Sequence, residues 1–170
     1  MSTAVVFYSL EGHTEKVAEQ IAKALDADLI RLRTVKEYPV SGPTKYLMGG
    51  RDALVDRQAA LLPYEFDADK YNTVILATPV WAGHATPAMN RFLRDNRLTG
   101  KRIGLVIVSM TGREGAIDDL KTKLAGRRDI SSPGVWVSEL SIVAQKDGLE
   151  EGSDAKIALF CDQMAQICKA

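Results

Sequence analysis

The sequence predicts a doubly wound α/β fold, a five-stranded parallel sheet in the order 2-1-3-4-5 with helices on both faces. Three observations carry this expectation. Short continuous apolar runs recur along the chain, helix-period segments fall between them, and two further strand patterns mix in the polar residues that sheet edges tolerate. At 170 residues the chain is long enough to bury a sizeable core, and we read residues 1–170 as a single domain.

Taken in order, the first strand is "AVVFY" (4–8), apolar at every position as a strand covered on both faces should be. After the loop 9–14, Val17, Ala18, Ile21, Ala22 and Leu25 recur at helical spacing. "ADLIRLR" (27–33) is a mixed, edge-type strand. Residues 34–72 then make a long, elaborated crossover, in which "TKYLMGGRDALVDRQAALL" (44–62) has a helical pattern weakened by Gly49 and Gly50. "TVILA" (73–77) is the third strand. A helix follows, with Thr86 as N-cap, Pro87 at its first position and Ala88, Met89, Phe92 and Leu93 on one face. "IGLVIV" (103–108) is the fourth strand, and the next helix sets Ile117, Leu120 and Leu124 together and stops at Gly126. "GVWVSEL" (134–140) is the other edge strand. The last helix carries Ile157, Cys161, Met164 and Cys168 on one stripe. Right-handed crossovers, with the mixed strands at the edges, give the stated order.

Composition narrows the function. Lys plus Arg equals Asp plus Glu, 22 of each, so no charge excess points to nucleic acid, a membrane surface or an acidic substrate. No run reaches the roughly 18 apolar residues of a membrane span, and the N-terminus shows no signal-peptide pattern, so a cytoplasmic protein is expected. The two cysteines, seven residues apart on one helix, would be about 10.5 Å apart along its axis, too far for a disulfide. Two histidines and two helical cysteines make no metal site, and no nucleophile–base–orienter set is visible, so no catalytic residue is assigned.

In this fold, ligands bind beyond the carboxyl ends of the strands where the order reverses. The loops there read "SLEGHT" (9–14), "TPVWAGHAT" (78–86) and "SMTGREG" (109–115). The first suits a phosphate: Gly12 lets the backbone approach, Ser9 and Thr14 carry hydroxyls, and a helix N-terminus follows. An ordinary capped strand-to-helix turn would read the same way. Neither GxxxxGK[ST] nor a GxGxxG after the first strand is present, which argues against a P-loop nucleotidase and the usual dinucleotide site. A phospho-acceptor receiver domain fits poorly, because Ser9 and Thr78 stand where it needs acidic residues.

"YSLEGHTEKVAEQIAKAL" closely resembles the opening of flavodoxins, and "ATPVWAGHATPAMNRFL" resembles their second loop. The resemblance covers most of the chain and implies the flavodoxin-like fold, of the short-chain type since no segment interrupts the fifth strand. It implies flavin mononucleotide (FMN) as cofactor, its phosphate held by Ser9, Leu10, Glu11, Gly12, His13 and Thr14. Pro79, Val80, Trp81, Ala82 and Gly83 would border the isoalloxazine ring, with Trp81 the stacking candidate, and Ser109, Met110, Thr111 and Gly112 would close its other side. A stacked Trp burying about 150–250 Å² would contribute at most ~4–6 kcal/mol.

Two departures from the family pattern matter. Glu11 stands where many flavodoxins have Ser or Thr. A carboxylate about 6 Å from a phosphate dianion costs about 5 kcal/mol at an effective dielectric near 20, so either Glu11 turns to solvent or phosphate binding is impaired. The balanced charge is the other departure, since carrier flavodoxins are strongly acidic. The expected function is electron transfer through non-covalent FMN. The alternatives are an NAD(P)H-dependent flavin or quinone reductase, with residues 38–64 (Tyr38, Tyr46, Gly49, Gly50) shaping its pocket, or a binding module that has lost FMN. His13, His84, Arg113 and Glu114 are further candidates near the flavin. The expected partner is a redox protein or NAD(P)H, and the chain a monomer or homodimer.

Overall fold

The computed structural model describes residues 2–38, 52, 58–111, 115–125 and 136–169. Strand β1 (Thr3–Phe7) leads through the first loop to helix α1 (His13–Leu25) and strand β2 (Asp28–Arg31). A single 3₁₀ turn (Ala68–Lys70) precedes β3 (Thr73–Pro79), followed by α2 (Pro87–Asp95), β4 (Arg102–Ser109) and α3 (Ala116–Ala125). The chain closes with β5 (Trp136–Gln145), β6 (Gly148–Leu149) and α4 (Ser153–Lys169). The sheet order is β2-β1-β3-β4-β5-β6, parallel from β2 through β5.

The expected order is thus found, with one addition: β6 pairs antiparallel to β5, Ala144 opposite Leu149. The fifth strand also runs five residues past its predicted end at 140. Its continuation alternates, burying Leu140, Ile142 and Ala144 on one face only, so it lacks the continuous apolar run that marks β1, β3 and β4. A second correction concerns the predicted helix 44–62. Its described end, 58–62, is extended rather than helical, whereas Asp52 is helical as expected, and its other residues lie outside the described ones. Thr34 and Leu61 form an antiparallel bridge, supported by the Val35 N–H on the Ala60 carbonyl and the Leu62 N–H on that of Arg33, each at 2.8 Å. Pairing with the segment that follows β2 outweighs a local helical preference there. Gly126, the expected helix stop, lies outside the described residues.

Alternate side chains of the inner strands feed two cores. Ala4, Val6, Leu76, Leu105 and Ile107 pack with Met89 and Phe92 of α2 and Leu120 of α3. Val5, Phe7, Ile75, Val106 and Val108 pack with Ile21 of α1 and Phe160 and Met164 of α4. Thr86 caps α2 as its sequence predicts, accepting the Met89 N–H at 3.5 Å. Cys161 is buried and its thiol is pushed up to about 11 by that burial, and both cysteines are reduced. Among the described residues no helix is long and apolar enough to cross a membrane, and no group of three or more His, Cys, Asp or Glu could hold a metal ion.

Candidate functional site

Adjacent, parallel β1, β3 and β4 end together, so the loops after them meet over one edge of the sheet. Between them lies a cavity of about 350 Å³, within the range of small-molecule and cofactor sites. Ser9, Leu10, Glu11, His13 and Thr14 line it from the first loop. Pro79, Val80, Trp81 and Ala82 line it from the second, and Ser109, Met110 and Thr111 from the third. Val108 adds an apolar surface the sequence reading did not include. Gly12 and Gly83 shape the two loops without lining the cavity, and Gly112, Arg113 and Glu114 lie outside the described residues.

The first loop turns back on itself at Gly12, whose φ of 90° is open to glycine and strained for other residues. The Gly12 N–H donates to Ser9 Oγ at 3.1 Å, and the Gly12 carbonyl accepts the Lys16 N–H at 3.0 Å. Helix α1 therefore starts on a glycine with no side-chain cap, in contrast to α2. Its first-turn amides keep their hydrogen-bonding capacity and the positive end of the helix dipole, beside the buried Thr14. His13 Nδ1 is buried in this wall and has no hydrogen-bond partner among the described residues. Such an orphaned polar atom fits a site whose partner is a bound ligand. Glu11 is exposed at the rim.

The second loop begins as a continuation of the sheet, with the Val80 N–H on the Val108 carbonyl at 3.0 Å. Trp81 and His84 then exchange two backbone hydrogen bonds, each 3.0 Å, across a two-residue turn. The inner residues Ala82 and Gly83 both have positive φ, 50° and 80°, as a type I′ turn requires. The indole of Trp81 is held edge-on by two tyrosines, Tyr8 with ring centroids 5.9 Å apart and Tyr38 at 4.9 Å. Neither contact was legible in the sequence. Tyr8 is itself buried, and its phenol is pushed up by burial against a hydrogen bond from Thr34. In the third loop Ser109 is buried, while Met110 is 57% exposed at the rim.

Asp119 of α3 was also missed by the sequence reading. Its carboxylate meets the second loop from outside the cavity, with Oδ1 3.2 Å from His84 Nδ1 and Oδ2 accepting the Ala85 N–H at 3.1 Å. Oδ2 also accepts from Lys123 Nζ at 2.7 Å. Burial raises the Asp119 pKa, but the hydrogen bonds from Lys123, the Ala85 amide and His84 outweigh it and hold it below the usual carboxylate range. His84, expected near the flavin, does not line the cavity. A second cavity of about 250 Å³ lies on the β2 side, lined by Arg31, Arg33, Thr34, Glu37, Tyr38 and Tyr8, and it shares Ser9 and Leu10 with the first.

Known structures share the fold. A Bacteroides eggerthii protein described as a flavoprotein superposes with a TM-score of 0.74 at 18% identity, covering 96% of this chain and 98% of its own. A flavoprotein from Lactobacillus acidophilus, solved in complex with FMN, gives 0.70 at 13% identity, covering 94% and 97%. An oxidised flavodoxin from Bacillus cereus gives 0.62 at 16% identity, covering 98% of each chain. No curated protein matches the sequence significantly. The flavodoxin domain family matches residues 45–140, more than half of the 170 residues and including the second and third loops, and the chain belongs to that family.

Proposed function

We propose that the protein binds FMN non-covalently in the 350 Å³ cavity and passes electrons through it. One observation carries the reading: the cavity joins an uncapped helix N-terminus to an aromatic wall. At one end, the α1 amides, Thr14 and the orphaned His13 Nδ1 suit a phosphate. At the other, Trp81, Val80, Val108 and Met110 suit a planar apolar ring. The exposure of Glu11 supports the orientation in which its carboxylate faces water and leaves the phosphate position clear. The bound flavin supplies the redox chemistry, taking up and releasing one or two electrons. The residues of this chain bind its phosphate, orient its ring and limit the water around it. The FMN-bound relative from L. acidophilus supports the same reading.

The test is a visible spectrum of the purified protein, taken before and after adding FMN and removing the excess. A retained flavin spectrum, weakened in Thr14→Val and Trp81→Ala, is expected. A colourless protein that takes up no FMN refutes the reading.

A reductase that draws electrons from NAD(P)H is the second reading, favoured by the neighbouring 250 Å³ cavity. It places Arg33 beside the first cavity, together with Arg31, which is paired with Glu15, and a phosphate-bearing donor would find a cation there. Anaerobic mixing of the FMN-loaded protein with NADH or NADPH separates the two: bleaching of the flavin by the nucleotide alone identifies a reductase, and no bleaching a carrier that needs a protein donor.

A further inference from the structure

We propose that Asp119 is a positioning residue of the flavin site, clamping the Trp81–His84 turn in the form that walls the cavity. The inference rests on the FMN reading and adds to it a residue that neither lines the cavity nor stands in any of its three loops.

The turn needs a clamp. Ala82, at φ 50°, adopts a backbone conformation that is unfavourable for any residue with a Cβ, and the turn's two internal hydrogen bonds join only its ends. Strained backbone of this kind persists where the surroundings over-determine it. Asp119 provides that constraint. One carboxylate engages two successive groups at the exit of the turn, the His84 ring and the Ala85 N–H. The carboxylate is itself fixed by Lys123, one helical turn along α3, and Lys123 Nζ also donates to Asn90 Oδ1 of α2 at 2.9 Å. The turn, α2 and α3 therefore meet on one chain of charge-assisted hydrogen bonds. Position alone separates Asp119 from its neighbour: the Asp119 side chain is 17% exposed and that of Asp118 is 85% exposed. Four of the cavity-lining residues, Pro79 to Ala82, belong to the segment this clamp closes.

The experiment uses Asp119→Ala, Asp119→Asn and His84→Ala, each in a Trp136→Phe background that leaves Trp81 the sole tryptophan of the two in the sequence. Trp81 emission and its acrylamide quenching are read on the apoprotein, and the FMN dissociation constant is read by flavin fluorescence. Asp119→Ala is expected to raise quenching of Trp81 and weaken FMN about tenfold, the loss of hydrogen bonds to a charged group. Asp119→Asn, whose amide oxygen still accepts the Ala85 N–H, is expected to restore most of the Trp81 signal and to stay within about threefold of the parent. His84→Ala, which leaves the Ala85 arm in place, is expected to fall between the parent and Asp119→Ala in both readouts. Unchanged Trp81 emission and FMN affinity in Asp119→Ala would overturn the proposal, as would equal losses in the Ala and Asn variants, which would assign the effect to charge rather than positioning. A parent that binds no FMN would refute the flavin reading separately, and the apoprotein tryptophan signal would still report whether Asp119 holds the turn.

Discussion

Replacing Gly12 by alanine tests how the end of the cavity proposed to hold a phosphate is built. Gly12 sits at φ 90°, ψ −13° as the N-cap of α1, and a Cβ placed on it meets nothing within 4 Å. The whole cost is therefore backbone strain, about 1–2 kcal/mol for a left-handed residue with a side chain. That strain can surface in two places. If the apoprotein keeps the loop as it is, unfolding becomes easier and FMN affinity holds. If the apo loop relaxes, stability holds, but FMN must restore the strained form and binds about 5- to 30-fold more weakly. In both cases the two losses sum to the same ~1–2 kcal/mol. Urea unfolding of the apoprotein measures one part and FMN titration the other. Gly100→Ala is the control: its φ is 74°, its Cβ site is also open, and it lies in the turn before β4. It should lose similar stability and leave FMN affinity unchanged. A combined loss below about 0.5 kcal/mol for Gly12→Ala would show that the loop does not need this conformation. One above about 4 kcal/mol would require a steric contact the structure does not contain.

Three further outcomes are expected. Gly104→Ala should cost about 1–3 kcal/mol in urea midpoint at unchanged m-value, because its Cβ would stand 3.0 Å from Phe160 Cζ and 3.2 Å from both Ile75 Cγ1 and Met164 Cε. Ala82→Gly relieves a residue held at φ 50° and should raise apoprotein stability by about 0.5–1 kcal/mol, the strain relieved less the added freedom of the unfolded chain. Burial and the Asp28 carboxylate, which accepts the Tyr71 hydroxyl at 2.8 Å, push the Tyr71 phenol from 10.0 up to about 12. A raised pKa means the folded state favours the protonated form, so this contribution is whole below pH 10 and lost as pH rises toward 12. Unfolding titrations across that window should show a smaller loss in Tyr71→Phe than in the parent.

What the sequence disclosed follows from what surrounds each residue. β1, β3 and β4 announced themselves because both of their faces are covered, by two different cores, leaving no polar position to break the run. The three loops followed from topology alone, since parallel strands side by side deliver their exits to one place. β6, two residues long, is too short to show a period. The segment 58–62 pairs with residues 33–35 through the Thr34–Leu61 bridge, a partner distant in sequence that no local pattern encodes. The same limit hid Asp119. "AIDDL" reads as a helix with two solvated acids, and only the packing of α3 against the second loop shows that one of them is a structural ligand. Tyr8 and Tyr38 were visible as aromatics but not as the two supports of Trp81.

The pairing of β1 with β3 also has a temporal consequence. Thr3 lies opposite Thr73, and Ala4 opposite Asp28, so the two edges of β1 are satisfied by partners made at very different moments. During synthesis at about 5–20 residues per second, β2 can cover one edge within seconds of β1, while the other edge waits roughly 4–14 s for β3 to be made. In that interval a largely apolar strand offers unpaired backbone to any chain nearby. The short, mostly exposed β2 is therefore the early cover of one edge of β1. The ligand cavity, whose second loop lies beyond β3, can form only after that long closure. On the flavin reading proposed above, the cofactor binds only after that closure, and its stabilising effect falls on the rate of unfolding.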